Sequence, residues 1–493
     1  MKKSLSSFIK IPSTLWNKKW LGVVLVLGLS SCEQLLKEEP KFIVAENFFN
    51  TAAEVEAATN AIYSPLRSTN YAVYETSLEC QADYAYGRGS WAPLHEHQGL
   101  NDANISRVAG LWNAFYLSIR NANLVIQNAP KGKAISPADI NKYVGEAKFL
   151  RAFNYFQLVR NWAGVPLRTE ENMTQIDLRR SSVEEVYILI QADLKEAETN
   201  LPDKPANVGR PSKWAAKTLL ADVYLTLGKY TEARDKADEV IKSGKFSLVP
   251  IASKADFQTK VYGPELVSTT EEIFYLKYTR QVDQGNYMLW ITNHPSTNLF
   301  NFGGAYVVYG QTTEPLYKGW NDADIRKSLW EKVNIGLGAN TVISSKFADQ
   351  KAISQTGAGN DDPVYAYADV LLIYAEAATR VNNAPTAQAL EALNQVRRRG
   401  YGKTPTAVSS VDFVLADYNA STFVDAVIQE RAYEFLYLGK RWLDLKRIGK
   451  VKEAIKAAKN VNVADKHLLW PVPTSELNFN KAMDPVKDQN PGY

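Results

Sequence analysis

Cysteine, histidine and methionine are scarce in this sequence. Its 493 residues include two cysteines, four histidines and four methionines. Two cysteines allow at most one disulfide, so a folded body must be held together mainly by packing, which a chain of this length can supply. The apolar run Leu21 to Leu29 is far shorter than the about 20 residues that a membrane-spanning helix needs. A membrane span retained in the mature protein is therefore the weaker interpretation.

The chain also lacks the charge excess typical of nucleic-acid-binding proteins. Lys and Arg total 57 against 53 Asp and Glu, but five of the lysines lie within the first twenty residues. Without those five, 52 basic residues face 53 acidic ones, and no run of more than three basic residues is left. This balance argues against a nucleic-acid partner.

Aromatic residues, in contrast, are abundant. They make up 11% of the chain, with 26 tyrosines and 11 tryptophans. Such residues commonly fill a helical core, and some are exposed as flat faces for ligands such as sugars. Composition alone leaves both interpretations open.

The N-terminus has the features of an export signal. Five lysines precede Leu21 to Leu29, and the stretch Leu29-Ser30-Ser31-Cys32 resembles the lipobox of bacterial lipoproteins, in which the cysteine is acylated. We therefore predict that residues 1–31 are removed, that Cys32 carries the lipid and that residues 32–45 form a tether. Cys80 is then the remaining thiol. An ordinary secretory signal with a coincidental cysteine is the alternative.

Helical periodicity dominates the rest of the chain, which we predict to form one interlocked body over residues 46–493. Asn50 to Arg67 places Val55, Ala58, Ile62 and Leu66 on one face, and Asn50 or Thr51 can cap its start. Similar apolar stripes run through Leu111 to Ala129 and through Lys142 to Trp162. These stretches predict long helices.

Two segments look like tetratricopeptide hairpins. Gly209 to Phe246 reads as two helices joined by a turn at Leu227 to Tyr230, with Ala233 and Ala237 on the inner side. Tyr367 to Gly400 is a looser copy that turns at Asn382-Asn383 and stops at Gly400. A third helix pair is predicted in Phe423 to Gly449 and Lys452 to Lys459.

Periodicity breaks down in the middle of the chain, about residues 249–362. Glu271 to Tyr278 is the only stretch there that reads as a strand. Long irregular stretches in a compact protein are commonly functional loops. Two such loops are Ala82 to Asn104 and Asp283 to Gly310.

The order of motifs resembles the SusD/RagB family of surface glycan-binding lipoproteins. The motifs that carry the resemblance are the lipobox, Glu46 to Tyr63, Glu146 to Leu167, the hairpin at Gly209, "YADVLLIYAEA", "ALNQVRRRG", Ile428 to Gly449, "LLWPVPTSELNFN" and the terminal "QNPGY". Within them, Glu430, Arg431, Glu434, Arg441 and Asp444 have helical spacings that favour ion pairs, whereas Trp442 and Trp470 read as core anchors. The terminal residues 490–493 are expected to dock onto the body.

The resemblance implies a mainly α fold, an α-α superhelix of tetratricopeptide-like hairpins with a loop-rich ligand-binding lobe and little β structure. Its N-terminal part would span about residues 46–246 and its C-terminal part about residues 363–493. The resemblance also implies a lipid-anchored protein on the outer face of the outer membrane, which captures oligosaccharides for a SusC-like TonB-dependent transporter without catalysis or a cofactor. Lys37 to Glu39 resembles the acidic signal that sends such lipoproteins to the outer face.

Sugar recognition needs aromatic faces and planar groups that hydrogen-bond hydroxyls. The first loop supplies Asp83, Tyr84, Tyr86, Arg88, Trp91 and Asn101, and the second supplies Asn286, Tyr287 and Trp290. In the family, the glycan site is built from these same two regions. We predict that Trp91→Ala weakens glycan binding without lowering thermal stability.

Other functions stay open at this point. His95-Glu96-His97 suggests a metal site, but no third ligand or HExxH pattern accompanies it, so a solvated loop is the favoured interpretation. A surface glycosidase would need a pair of carboxylates in a catalytic frame, and none is recognisable. A peptide ligand and a periplasmic helical scaffold are the remaining alternatives.

Overall fold

The computed structural model describes residues 48–67, 69–100 and 102–493, apart from the side chains of residues 102 and 103. Cys32, residues 1–31 and the tether therefore lie outside the described residues. Phe49–Tyr493 forms one compact unit, which is mainly helical with little β structure, as predicted. Among the described helices, none combines the length and the apolarity that a membrane span requires.

The first six helices form the N-terminal part of this unit. They are α1 Ala52–Arg67, α2 Asn70–Gln81, α3 Ala92–Glu96, α4 Asp102–Asn128, α5 Pro137–Trp162 and α6 Val183–Asn200. At the start of α1, the Glu54 carboxylate accepts a hydrogen bond from the Thr51 backbone N–H, and the Thr51 hydroxyl accepts one from the Glu54 backbone N–H. The predicted cap at Thr51 is therefore confirmed, and so are the two long helices α4 and α5.

Helices α7 (Lys213–Thr226) and α8 (Tyr230–Lys242) are the first predicted hairpin. Gly228 turns the chain at φ 70°, a left-handed conformation that costs glycine little. Ala233 and Ala237 are fully buried, and their small side chains let the two helices approach closely. From α4 to α8, each helix packs against the next, which is the arrangement of a helical repeat.

The middle of the chain contains short helices and most strands of two antiparallel sheets, one of which also includes a strand from the N-terminal part. The helices are α9 Lys254–Asp256, α10 Met288–Thr292 and α11 Pro315–Gly319. The strands are β1 Ala85–Gly87, β2 Glu272–Leu276, β3 Val308–Gln311, β4 Trp330–Lys332, β5 Thr341–Ser344 and β6 Asp362–Ala366. One sheet has the order β1-β3-β5-β4, and β2 pairs with β6 in the other.

Strand β2 confirms the prediction for Glu271 to Tyr278, but the expectation of a single strand in the middle region is wrong. Strands β3, β4 and β5 lie there as well. Each has three or four residues, too few to show an alternating pattern above that of the surrounding loops. Strands β3 and β4 both pair with β5, and this pairing stabilises them as strands.

Helices α12 (Tyr367–Asn382) and α13 (Ala387–Gly400) are the second predicted hairpin. Asn383 adopts the left-handed conformation at the predicted turn, with φ 49°. Helix α12 packs against both α8 and α13 and is almost entirely buried. This helix therefore joins the C-terminal part to the N-terminal hairpins.

The C-terminal helices are α14 Ala420–Glu434, α15 Arg441–Arg447, α16 Val451–Lys459 and α17 Thr474–Phe479. The prediction of one helix over Phe423 to Gly449 is wrong, because the chain leaves the helix between α14 and α15. There the Tyr437 backbone N–H donates to the Tyr84 hydroxyl over 3.0 Å, and the Gly439 N–H donates to the Glu79 carboxylate over 2.7 Å. Two buried acceptors outside the helix thus take up backbone donors.

Buried ion pairs connect these C-terminal helices to the rest of the body. Arg326 contacts Glu430 over 2.6 Å and Glu434 over 2.9 Å, and Arg431 contacts Asp444 over 2.8 Å. The signature residues do form ion pairs, but the predicted pairing among them at helical spacing is wrong. Apart from Asp444, which also contacts Arg447 of its own helix, each pairs with a residue of another element. Each pair between elements therefore joins segments that are distant in the chain or separated by the break.

The C-terminal tail docks onto the body as expected. The Asn490 side-chain amide donates to the carbonyls of Trp162 and Trp470 over 3.1 and 2.6 Å. Trp442 and Trp470 are both buried, which confirms them as core anchors.

Candidate functional site

The two predicted loops meet through the pairing of β1 with β3. In this antiparallel pair, Ala85, Tyr86 and Gly87 lie opposite Gly310, Tyr309 and Val308. The Arg88 N–H extends the pairing by donating to the Val307 carbonyl over 2.7 Å. Residues far apart in the sequence thus become direct neighbours.

The second loop folds back on itself before it reaches β3. The Ala305 and Val307 N–H groups donate to the carbonyls of Trp290 and Ile291 over 2.9 and 2.8 Å. A Cβ atom at Gly304 would lie 2.1 Å from the Asn293 carbonyl oxygen, so the close approach of the two loop arms requires glycine there. This fold places helix α10, which carries Trp290 and is preceded by Tyr287, beside the segment leading into β3.

Six side chains on these segments are only half-buried and contact one another in pairs. Tyr86 stacks on Tyr309 with ring centroids 5.4 Å apart, and Tyr287 stacks on Trp290 at 5.0 Å. The Arg88 guanidinium lies over the Tyr306 ring, 3.5 Å from its centroid. We call these residues the loop cluster: Tyr86, Arg88, Tyr287, Trp290, Tyr306 and Tyr309.

Four other candidate residues are buried and take part in internal contacts. The Asp83 carboxylate accepts from the Arg441 guanidinium over 2.6 and 2.9 Å, and the buried Tyr84 hydroxyl donates to Glu79. The Asn286 amide donates to the Asn360 carbonyl and accepts from the Met288 N–H. Trp91 is 7% exposed. Their roles as ligand contacts stay predictions, and Asn101 lies outside the described residues.

Trp91 has a different environment from the loop-cluster rings. The Arg107 guanidinium covers its ring at 3.8 Å from the centroid. Arg107 is in turn linked to the Trp91 loop, because its guanidinium donates to the Ser90 hydroxyl over 3.3 Å. Replacement of Trp91 would therefore remove a packed side chain as well as any ligand contact.

Two charged residues, Glu314 and Lys459, hydrogen-bond to Tyr86 and to the backbone at the start of β1. The Tyr86 hydroxyl donates to the Glu314 carboxylate, and burial followed by this hydrogen bond raises the pKa of Tyr86. The Lys459 ammonium donates to the carbonyls of Ala82 and Ala85, both over 2.5 Å, and burial lowers its pKa to about 8. These bonds hold the start of β1, and with it Tyr86, in position.

The two histidines of the His95-Glu96-His97 stretch have different surroundings. His95 lies in α3 and accepts a hydrogen bond from the Gly87 N–H over 3.2 Å. His97 follows the helix, is buried, and stacks on Trp442 at 5.4 Å. Burial lowers the pKa of His95 to about 4 and that of His97 to about 3. The expectation of a solvated loop is wrong for His97, and the described residues contain no cluster of three or more potential metal ligands.

Two family models match most of the chain. Residues 35–225 match a SusD-like model described as starch-binding and associating with the outer membrane, and residues 287–493 match the model of the SusD family. The chain belongs to the SusD/RagB family.

Individual SusD/RagB proteins are similar over nearly their whole length. The SusD-like protein P2 of Formosa agariphila is 26% identical over 516 aligned positions, which cover 96% of this chain and 98% of the relative. The crystal structure of a SusD homolog from Bacteroides thetaiotaomicron superposes with a TM-score of 0.77 at 23% identity, over 91% of this chain and 98% of that one. A laminarin-binding SusD-like protein gives a TM-score of 0.73 at 23% identity, over 90% of this chain and 100% of that one. These structures show that the fold is shared.

Within this SusD/RagB fold, the structure adds two aromatic residues that sequence reasoning did not name. Tyr306 and Tyr309 lie in the predicted second loop, close to its end. No sequence signal identifies Tyr309, because the four residues Val308–Gln311 are too few to show an alternating pattern, and their alternation of buried and half-buried side chains appears only in the structure. Tyr306 precedes that alternation and has a φ of 37°, so only the folded loop reveals its position beside Arg88.

Proposed function

We propose that this chain binds oligosaccharides at the cell surface and delivers them to a SusC-like TonB-dependent outer-membrane transporter, without catalysis and without a cofactor. The observation that carries the proposal is the β1–β3 pairing, which collects aromatic rings and a guanidinium from two distant loops. The starch-binding description of the matched family model and the laminarin-binding relative support a glycan ligand over a peptide.

The loop cluster has the chemistry that sugar binding requires. Aromatic faces pack against the apolar C–H side of a sugar ring, and planar polar groups hydrogen-bond the hydroxyls. The tyrosine and tryptophan rings are already held by stacking, so little side-chain entropy is lost when a ligand binds. A binding surface of this kind does not need a deep pocket.

Two carboxylates beside strand β1, those of Asp83 and Glu314, have internal partners. Asp83 is paired with Arg441 and Glu314 accepts from Tyr86. Glycoside cleavage needs one carboxyl group that donates a proton and a second one that acts on the opposite side of the bond. These pairings support binding without cleavage.

Affinity electrophoresis tests the proposal directly. The full-length chain in detergent is run through native gels that contain laminarin or starch, and retardation by at least one polysaccharide is expected. Trp290→Ala should lose most of the retardation. Trp214→Ala is the matched control, because Trp214 is also half-buried but lies on helix α7 of the scaffold. Equal retardation of both variants, or binding of peptides in place of polysaccharides, would contradict the proposal.

Catalysis is tested on the same protein by measuring reducing ends. The wild-type chain is incubated with each polysaccharide that it binds. We expect no new reducing ends, and release over many turnovers would show that the chain is an enzyme.

Location and partner need experiments on cells. Radiolabelled palmitate should enter the wild-type protein and not the Cys32→Ala variant, and protease added to intact cells should cut the protein. A TonB-dependent transporter should copurify with the wild-type protein from solubilised outer membranes. A soluble periplasmic pool of the wild-type protein would contradict the anchored location.

A further inference from the structure

A cavity of about 260 Å³ lies in the helical body, among residues that do not belong to the loop cluster. Helices α2, α5, α6 and α7 form one side of it, and the start of α12 together with α14, α15 and the segment joining them forms the other. We call it the helical cavity. It has several times the about 30 Å³ that one water occupies in the liquid, so a small organic molecule fits inside.

The residues that line the helical cavity include more cations than carboxylates, although one of these cations, Arg447, is also paired with the buried Glu376 over 2.6 Å. Five cationic residues line the cavity, namely Arg160, Arg431, Lys440, Lys446 and Arg447, against the three carboxylates of Asp222, Asp369 and Asp444. Lys440 is paired with Asp369 over 2.6 Å, and Asp444 accepts from both Arg431 and Arg447 over 2.8 and 2.9 Å. Arg160 is held more loosely, 3.8 Å from Asp222. All three of these carboxylates therefore have a cationic partner.

Lys446 is the one cation of these five that takes part in none of these ion pairs. Its ammonium donates to the Arg160 carbonyl over 2.5 Å, and no carboxylate of the described residues lies within ion-pair distance of it. Burial, followed by the charge of Arg160, lowers the pKa of Lys446 to about 7. A positive charge in this position is therefore costly unless an anion accompanies it.

A second donor on the same walls also lacks a partner. Arg431 is 5% exposed, and its Nη1 atom is buried without a hydrogen-bond acceptor among the described residues. Leaving a buried donor unsatisfied costs about 1–3 kcal/mol, and more when the donor is charged. An acceptor inside the cavity would remove this cost.

The remaining walls suit an apolar or ring-shaped body. Tyr71, Tyr74 and Tyr365 contribute aromatic surface, and Leu443 lines the cavity and is half-buried. The Tyr365 hydroxyl is already satisfied, because it donates to Asp222 over 2.7 Å. The cavity thus combines flat apolar walls with one cation that has no ion-pair partner, Lys446, and one guanidinium nitrogen that has no acceptor, Arg431 Nη1.

We propose that the helical cavity binds a small organic anion of about the size of a monosaccharide. Its oxyanion group, a carboxylate or a sulfate, accepts a hydrogen bond from Arg431 Nη1 and neutralises the charge of Lys446, while its body lies against the tyrosine rings. This site is independent of the glycan surface at the loop cluster, since the two have no residue in common.

Isothermal titration calorimetry of the full-length chain in detergent tests this site with three probes that share one ring. Glucuronate carries a carboxylate, glucose 6-sulfate carries a sulfate, and glucose carries neither. At least one of the two acids should bind, and the one that binds more tightly identifies the oxyanion class. Absence of binding by both acids, or binding of glucose as tight as that of the acids, would overturn the proposal.

Lys446→Met tests the assigned residue, because methionine keeps an unbranched apolar chain and removes the charge. We expect affinity for the acid to fall at least tenfold, while the midpoint of thermal unfolding stays the same or rises because a desolvated charge is gone. Lys452→Met is the matched control on the exposed side of α16, and its affinity should equal that of the wild type. Unchanged acid binding by Lys446→Met would refute the assignment.

Two further measurements separate this site from the rest of the protein. Leu443→Trp should block the acid by filling the cavity, and this result is informative even if Lys446→Met folds poorly. Retardation by laminarin should be the same for Leu443→Trp and the wild type. Acid binding that survives Leu443→Trp would place the anion outside the helical cavity and overturn the proposal.

Discussion

Tyr86 and Tyr309 lie directly opposite each other on neighbouring strands, and their rings stack with centroids 5.4 Å apart and planes inclined by 20°. One ring comes from the N-terminal loop and the other from the end of the middle loop. Their contact is the point at which the two sequence-predicted regions become one surface. It therefore offers the sharpest test of whether that surface binds ligand.

Tyr309→Ala should weaken glycan binding by about 2 kcal/mol, or roughly 30-fold, because it removes one ring and frees the other from its stacked position. Binding is measured by titration with the polysaccharide that retards the wild type. Tyr230→Ala is the control, because Tyr230 is half-buried on helix α8 of the scaffold. A Tyr309→Ala variant that binds as tightly as this control would exclude Tyr309 from the site.

Trp91→Ala should lower the free energy of unfolding by about 3–5 kcal/mol, which is typical when a buried aromatic side chain is removed. This replaces the sequence-based prediction that Trp91→Ala leaves thermal stability unchanged, because Trp91 is 7% exposed and its ring is covered by Arg107. Urea denaturation measures the change. Trp290→Ala, at a half-buried position, should lose clearly less stability, and equal losses would contradict this account of the two environments.

Arg326→Met should destabilise the fold by about 3–5 kcal/mol, because it leaves buried carboxylates without their cationic partner. Arg326 contacts Asp324, Glu430 and Glu434 over 2.6, 2.6 and 2.9 Å, and all four side chains are buried. Urea denaturation is again the measurement. In Lys242→Met, which removes an exposed ion pair with Asp238, the change should be much smaller, because solvent screens an exposed pair.

Asp362→Asn should become progressively more stable than the wild type as the pH rises. Burial raises the pKa of Asp362 from an ordinary value of 3.8 to about 7, and burial followed by the charge of Asp362 raises that of Glu75. The folded state therefore holds a proton that the unfolded state releases. The stability that this bound proton gives the folded wild type is fully present below about pH 4 and is lost as the pH rises through about 7.

Urea denaturation of both proteins at several pH values checks this prediction. The stability of Asp362→Asn relative to the wild type should increase between about pH 4 and pH 7 and then level off. A difference that does not change over this range would show that Asp362 ionises in the folded state as readily as in the unfolded one.

Local features of the sequence predicted the helical scaffold well. These features are the apolar residues at helical spacing, the cap at Thr51 and the turns at Gly228 and Asn383. Each depends only on residues a few positions away in the chain, so it can be recognised without the rest of the molecule. The same reasoning failed between Glu434 and Arg441. There the acceptors that interrupt the helix, Glu79 and the Tyr84 hydroxyl, come from the other end of the chain.

The candidate site could be predicted by region more easily than by residue. Both loops were recognised by their lack of periodicity, and the structure joins them. Which aromatic rings face solvent was not predictable, because burial depends on what packs against a ring. Tyr84 and Tyr86 are two residues apart on the same segment, yet one is fully buried and the other half-buried.

The sequence by itself determined the helical class of this protein, the start and turn of its hairpins and the expectation of a lipid at Cys32, because each depends on residues close together in the chain. Only the tertiary structure decided the pairing of Tyr86 with Tyr309, the partners of the buried charges and the helical cavity with its unpaired Lys446. Such features arise where distant segments meet, and burial there sets the cost of every polar group. The free-energy cost of burying a polar group therefore cannot be predicted from the residues next to it in the sequence.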